Sequence, residues 1–226
     1  MKKFSFFFPL FLAVIAVTAQ VNYSGSYGYT LPNNDLPKNK SITPDGNLVL
    51  VKMEGNKYRF WLDVVIGPPG YNRGETDGTI TFVNDTASFD NTFEDATHPY
   101  ILKFRITKNV ITINSESTSF NCGFGNGVNA DGDYTRLKVQ PVIDNKWLND
   151  QYPESPILTI TAKKALLYHD ENCRMEKEGS FVKGKSLLNV AETTSTFYTE
   201  YITPQGKFMY GWIKKIDTDA TENKRM

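Results

Sequence analysis

The densest chemical motif in the chain is Asn121-Cys122-Gly123-Phe124-Gly125-Asn126-Gly127-Val128-Asn129-Ala130-Asp131-Gly132-Asp133-Tyr134. Gly125-x-Gly127-x-x-Ala130 has the spacing of a dinucleotide fingerprint. That chemistry needs a helix opening at the glycines, so that its N-terminus faces the pyrophosphate. Asp131-Gly132 is instead a turn signal leading into a strand, and the glycines read as a bend. Asn129, Asp131 and Asp133 alternate as they would at the start of a calcium loop. The sixth position is Tyr134 where that loop needs glycine, and the twelfth is Gln140 rather than Glu. A solvated hairpin turn is the better reading.

The remaining reactive material is sparse. Two histidines, His98 and His169, and two cysteines, Cys122 and Cys173, leave little for a zinc site or a histidine-driven active site. A Cys173–His169 nucleophile pair would need a thiolate beside a base, with a third group to orient the base, and no orienting Asn or Asp is identifiable. No nucleophile elbow, His-Glu-x-x-His helix or phosphate-binding loop occurs. Glu94 and Asp95 read as loop acids, although a carboxylate pair that converges only in the fold leaves a glycosidase-type hydrolase open as an alternative. With 25 basic and 25 acidic side chains the net charge is zero, which argues against nucleic acid as a partner. No enzyme activity, metal or cofactor is expected.

The elements that must position these residues read as strands. Tyr58, Phe60, Leu62, Val64 and Ile66 alternate with Arg59, Trp61, Asp63 and Val65, and Tyr100, Leu102, Phe104 and Ile106 alternate with Lys103, Arg105 and Thr107. Shorter strands are expected at 23–30, 47–53, 79–83, 87–91, 110–114 and 133–138. Turn signals separate them at Asp45-Gly46, Glu54-Gly55-Asn56, Gly67-Pro68-Pro69-Gly70, Asn84-Asp85 and Lys108-Asn109. The predicted fold class is all-β, and residues 20–140 suit a small antiparallel barrel or sandwich. Residues 141–157, with Pro141, Pro153 and Pro156, read as a linker, in which Trp147, Leu148 and Tyr152 either dock on a neighbouring domain or form a short helical turn. The second block predicts strands at 158–162, 165–168, 180–182, 186–190, 196–202, 207–212 and 213–216, then a polar tail over 218–226.

The first nineteen residues have the parts of a secretory signal peptide: Lys2 and Lys3, an apolar run from Phe4 to Val17, and small residues at Val17-Thr18-Ala19. The run is shorter than the roughly 20 residues a membrane span takes. Cleavage is expected after Ala19, giving an exported protein, periplasmic or secreted, without a transmembrane segment in the mature chain. In that setting one disulfide is permitted, and Cys122 and Cys173 are either bridged or two unpaired thiols. Asp85-Thr86-Ala87 is similar to an O-glycosylation acceptor of some exported bacterial proteins.

Segment 158–217 resembles a bacterial SH3-like (SH3b) domain. The resemblance is carried by Leu158 to Asn172 as an opening strand and loop, by Phe181, Val182, Lys183, Gly184, Lys185, Leu187, Leu188 and Val190, and by Gly211, Trp212 and Ile213 after a hairpin at Pro204-Gln205-Gly206. It implies a small SH3-like barrel that recognises a peptide, a wall glycopeptide or a protein of the cell envelope, without catalysis of its own. Tyr168, Phe197, Tyr198, Tyr201, Tyr210 and Trp212 would then form a stacking groove or pack the barrel. Phe197 and Tyr198 are adjacent on one strand and must face opposite ways, so Tyr198 is the residue expected outside the core. The 121–134 segment resembles a recurring element of small exported bacterial β-domains. There a second cysteine tends to precede the penultimate strand; none stands near His98–Ile101, which makes Cys173 the candidate partner of Cys122. If the protein is instead an inhibitor of a foreign wall-degrading enzyme, Gly123, Phe124, Gly125, Asn126 and Asp131 would lie on the inserting loop. The mature protein is expected to begin at Gln20. Its intact mass checks both modifications: retention of 1–19 removes the leader reading, and an unmodified 20–226 mass removes the glycan.

Overall fold

The computed structural model describes residues 21–29, 46–66, 72–92, 96–97, 99–117, 124–125 and 128–219. The leader, the 218–226 tail beyond Asp219, the Gly67–Gly70 turn, His98, Cys122, Gly123 and Asn126 lie outside them. The fold is all-β. Eight strands, β1 (Gly25–Tyr29), β2 (Gly46–Lys52), β3 (Lys57–Ile66), β4 (Asn72–Thr81), β5 (Thr86–Asp90), β6 (Tyr100–Thr107), β7 (Val110–Ser117) and β8 (Gly132–Arg136), form one antiparallel sheet in the order β4-β3-β2-β1-β8-β7-β6-β5. The sheet curls into a nearly closed barrel, because the period-two pattern puts one apolar face inside. Tyr58, Phe60, Leu62 and Val64 of β3 and Tyr100, Leu102, Phe104 and Ile106 of β6 all point into one core.

The seam of the barrel lies between β4 and β5, which are consecutive in the chain and joined by the tight turn at Asn84 and Asp85. Both turn residues have positive φ, 49° and 60°, as a two-residue hairpin with the right-handed twist requires. Side chains close the seam where backbone pairing does not. The Phe89 ring sits on Gly78, the Phe124 ring sits on Gly74, and the Gly125 N–H donates to the Arg73 carbonyl at 3.0 Å. Tyr100 Oη also donates to Thr76 Oγ1 across it. These rings explain why β4 is longer than the expected 79–83. Its inward positions, Gly74, Thr76 and Gly78, are small to admit aromatic rings, so residues 72–78 carry no apolar alternation to read.

On the opposite side of the barrel β1 meets β8. The Gln140 side chain extends that ladder: its Oε1 accepts from Ser26 N–H at 2.7 Å, and its Nε2 donates to the carbonyls of Ser26 and Leu137. The Gln140 and Arg136 side chains stand where a Cβ on Gly25 would go, and Gly25 has φ +144°.

The chain then forms helix α1 (Asn145–Gln151), whose first turn is capped by the Asp144 carboxylate accepting from Trp147 N–H at 3.0 Å. A six-stranded sheet follows, ordered β11-β10-β14-β13-β12-β9, from β9 (Ile157–Thr159), β10 (Lys164–Tyr168), β11 (Glu176–Val182), β12 (Ser186–Glu192), β13 (Thr196–Ile202) and β14 (Phe208–Lys214). The turn at Lys183-Gly184-Lys185 uses Gly184 at φ +84°, and the β13–β14 hairpin uses Gly206 at φ +77°. Where the sequence reading expects a last strand at 213–216, β14 runs to Lys214 and a 3₁₀ turn occupies Lys215–Asp217. That turn brings Thr218 back to bridge Ile160. Leu158, Ile160, Leu167, Phe181, Leu187, Phe197, Tyr201 and Ile213 fill the second core.

A third cluster joins the two sheets. Val49, Val51 and Trp61 on the outer barrel face pack against Leu148 of α1 and against Leu188, Ile202 and Phe208 of the second sheet. Because both faces of β2 are covered, Leu48–Val51 is a continuous apolar run rather than an alternating one. Gly78→Ala is expected to destabilise the barrel by about 1–3 kcal/mol, since the Phe89 ring must leave its seat. Urea denaturation measures it, and Gly78→Ala/Phe89→Leu should recover part of the loss.

Candidate functional site

The outer face of the barrel beside the second sheet is a ladder of cross-strand rows. Register aligns Val51 with Arg59 and Thr79, Val49 with Trp61 and Asp77, and Asn47 with Asp63 and Glu75. The first row lies under the second sheet. The other two form the floor of a cleft of about 550 Å³, walled by Trp147, Asp150, Gln151, Tyr152 and Pro153 at and after α1. The Trp61 and Trp147 rings meet edge to face at 5.0 Å and 89°. The wall stands there because Leu148, one residue on from Trp147, is fully buried between the sheets.

Behind the cleft lies a buried polar cluster. Arg59 places Nε 3.2 Å from Glu200 Oε1, pairs through Nη2 with Asp77, and donates to Tyr152 Oη at 2.8 Å. Tyr152 Oη also accepts from Trp61 Nε1 at 2.9 Å and donates to Asp77 at 2.8 Å. The guanidinium stands 5.2 Å from the Trp61 ring centre. The Arg59 and Glu200 side chains are only 8% and 5% exposed. Burial opposes charge on Arg59, but Glu200, Tyr152 and Asp77 outweigh it and hold the guanidinium above its ordinary value. Glu200 responds the other way. Burial raises its carboxyl more than Arg59 lowers it, and nearby Asp77 adds to the rise. Burial likewise pushes the Tyr152 hydroxyl well up.

A second charged clasp crosses the same interface. Lys177 Nζ is 2.9 Å from Glu54 Oε1 and 3.1 Å from the Tyr210 ring centre, and it holds the Glu54 carboxyl below its ordinary value.

The aromatics singled out in the second block separate into three places. Phe197 and Tyr201 are in the core, with Tyr201 against Phe181 at 5.7 Å. Tyr210 is spent at the interface with the barrel. Tyr198, Trp212 and Tyr168 are register partners across β13, β14 and β10, so they form one row on the face opposite that core. Tyr198 and Trp212 are half-buried and meet at 5.4 Å, and Lys214 Nζ lies 5.5 Å from the Tyr168 ring centre. Tyr198 therefore faces away from Phe197, as strand geometry requires.

Alternate residues of the described part of the glycine-rich segment turn inward. Phe124, Val128 and Ala130 belong to the barrel core, and Gly125 lies against Arg73. The Asp131 carboxylate accepts from the Ser115 N–H and hydroxyl, and Asp133 accepts from Thr112 Oγ1 at 2.6 Å, so both acids secure the β7–β8 hairpin. Cys173 is a free, half-buried thiol at φ 53°. Burial pushes that thiol up, the reverse of the lowered value an activated nucleophile needs. Among the described residues no group of three or more His, Cys, Asp or Glu is placed to hold a metal, and no helix is long and apolar enough to cross a membrane. Comparison with family models, curated proteins and solved structures finds no match to this chain.

The cleft as a site was missed by sequence reasoning because its floor sits on alternate positions of three strands and its wall comes from the linker. Two signals were available: the unbroken apolar run of β2, which requires something to cover the outer face, and the linker's Trp147, Leu148 and Tyr152, read as docking or as a short helical turn. Arg59→Ala should cost about 3–5 kcal/mol, the penalty for leaving buried acids unpaired. Glu200 gives a pH signature. Its folded value is raised above the ordinary 4.5, so its contribution is fully present below that value and is lost as pH rises through the raised one. The melting temperature of Glu200→Gln should therefore gain on wild type as pH rises above the ordinary 4.5, and thermal melts at several pH values check it.

Proposed function

We propose that this chain is an exported, non-catalytic binding protein of the bacterial cell envelope, and that it holds a peptide, wall glycopeptide or protein segment in the cleft between the outer barrel face and the helix segment. The cleft carries the reading. It joins aromatic surface from Trp61, Trp147 and Tyr152 to polar groups already held in place: Asp63 by Arg73, Asp77 by Arg59 and Tyr152, and Asp150 by Lys146. A concave surface that combines aromatic rings with polar groups fixed in place can orient a polar ligand. A carboxylate hydrolase would need one acid free to donate a proton, whereas each of these sits at an ion pair. The leader and the resemblance of 158–217 to SH3-like domains supply the envelope part of the reading, and the half-buried Tyr198–Trp212 pair, beside buried Tyr168, offers a second aromatic surface on that unit.

In the inhibitor alternative Phe124 would not insert, since it is core, and the exposed Asp131 would carry that role. Soluble wall fragments added to mature protein should change the tryptophan fluorescence, with Trp147→Ala weakening binding at least tenfold while the fold persists by circular dichroism. Binding that ignores Trp147→Ala, or no binding to any envelope fraction, would sink the proposal.

A further inference from the structure

We infer that the ligand of this cleft presents an ammonium or guanidinium group, and that Arg73 is a built-in competitor for the place it takes. The inference rests on the cleft being the binding site. Its starting point is the floor row Asn47–Asp63–Glu75, where register sets two carboxylates directly opposite one another. Like charges in that relation repel, so the pair requires a cation. The chain supplies one from the next rung of β4. Arg73 Nε lies 2.8 Å from Asp63 Oδ1 and 2.6 Å from Glu75 Oε1, and Nη2 lies 2.9 Å from Asp63 Oδ2.

Exposure separates this arginine from the other one on the same face. The Arg59 side chain is 8% exposed and locked, whereas that of Arg73 is 59% exposed. An ion pair so open to water is worth only about 0.2–1 kcal/mol, little enough for an incoming cation to exchange with it. The rest of the cleft favours that exchange. Asp77 and Asp150 add two more carboxylates to the lining, paired with Arg59 and Lys146, and the half-buried Trp147 ring offers a surface to which a cation is attracted. An anionic ligand would meet four carboxylates there.

The test uses the mature chain with a short lysine peptide and the same peptide acetylated on its side-chain amines, titrated by calorimetry at low salt. The charged peptide should bind, and acetylation should weaken it at least tenfold. Arg73→Gln should tighten the charged peptide about three- to fivefold, the equivalent of one exposed ion pair. Asp63→Asn and Glu75→Gln should each weaken it, and added salt should reduce all of these differences. Melting temperatures establish that each variant is folded. Unchanged or weaker binding by folded Arg73→Gln, or equal binding of the acetylated peptide, overturns the inference. If wall fragments still bind in a Trp147-dependent way in that case, the cleft reading stands and only the cationic ligand falls. If neither wall fragments nor lysine peptide depend on Trp147, the cleft itself is not the site.

Discussion

One buried guanidinium organises this molecule. Arg59 emerges from the outer face of a barrel strand into the space between two sheets, where an uncompensated charge would be severely unfavourable. It is tolerated because Glu200 comes from the second sheet, Asp77 from the neighbouring barrel strand and Tyr152 from the end of the helix segment. Apolar surfaces such as Val49, Val51, Leu188 and Ile202 hold the sheets together but accept sliding, because their attraction has little direction. The hydrogen bonds of Arg59 have direction. They fix which rung of the barrel faces which rung of the second sheet, and Lys177 with Glu54 repeats the constraint at another point of the contact.

The cleft inherits its shape from that arrangement. Tyr152 is at once a partner of Arg59 and a wall of the cleft, and Asp77 is both an anchor and part of the floor. The residues that join the two sheets and those that shape the cleft are therefore partly the same. Arg59 and Arg73, on the same face of the same two-stranded ladder and each held by a pair of acids, show how exposure alone divides the roles. The buried one builds the site and the open one occupies it.

Much of the architecture was readable in the residues. The alternation in β3 and β6, the turn glycines and the opposed faces of Phe197 and Tyr198 follow from local geometry, which one sequence contains. Residues 72–78 were not readable as strand, because Gly74 and Gly78 are small to receive Phe124 and Phe89 from far along the chain. Tyr201 and Tyr210 carried no mark separating core from interface from groove, since an aromatic side chain suits all three. The cleft was hidden for a related reason. Asp63 and Glu75 become neighbours through strand register, and Trp147 reaches them only because Leu148 is drawn into a contact between two distant sheets.

The strand order of the barrel also says how the chain can assemble. Every neighbour in the eight-stranded sheet is also a neighbour in sequence, except β1 and β8. Two four-stranded meanders can therefore form from hairpins alone, each closing only a modest loop. Joining them requires the two ends of the domain to meet, and the β1–β8 ladder that does so aligns just Tyr27 with Arg136 and Gly28 with Thr135. The Gln140 amide, bonded to both edges of Ser26, lengthens that short ladder with a side chain in place of a backbone. Gln140 thus reinforces the closure by a side chain at the point where the chain leaves the barrel for the helix and the second sheet.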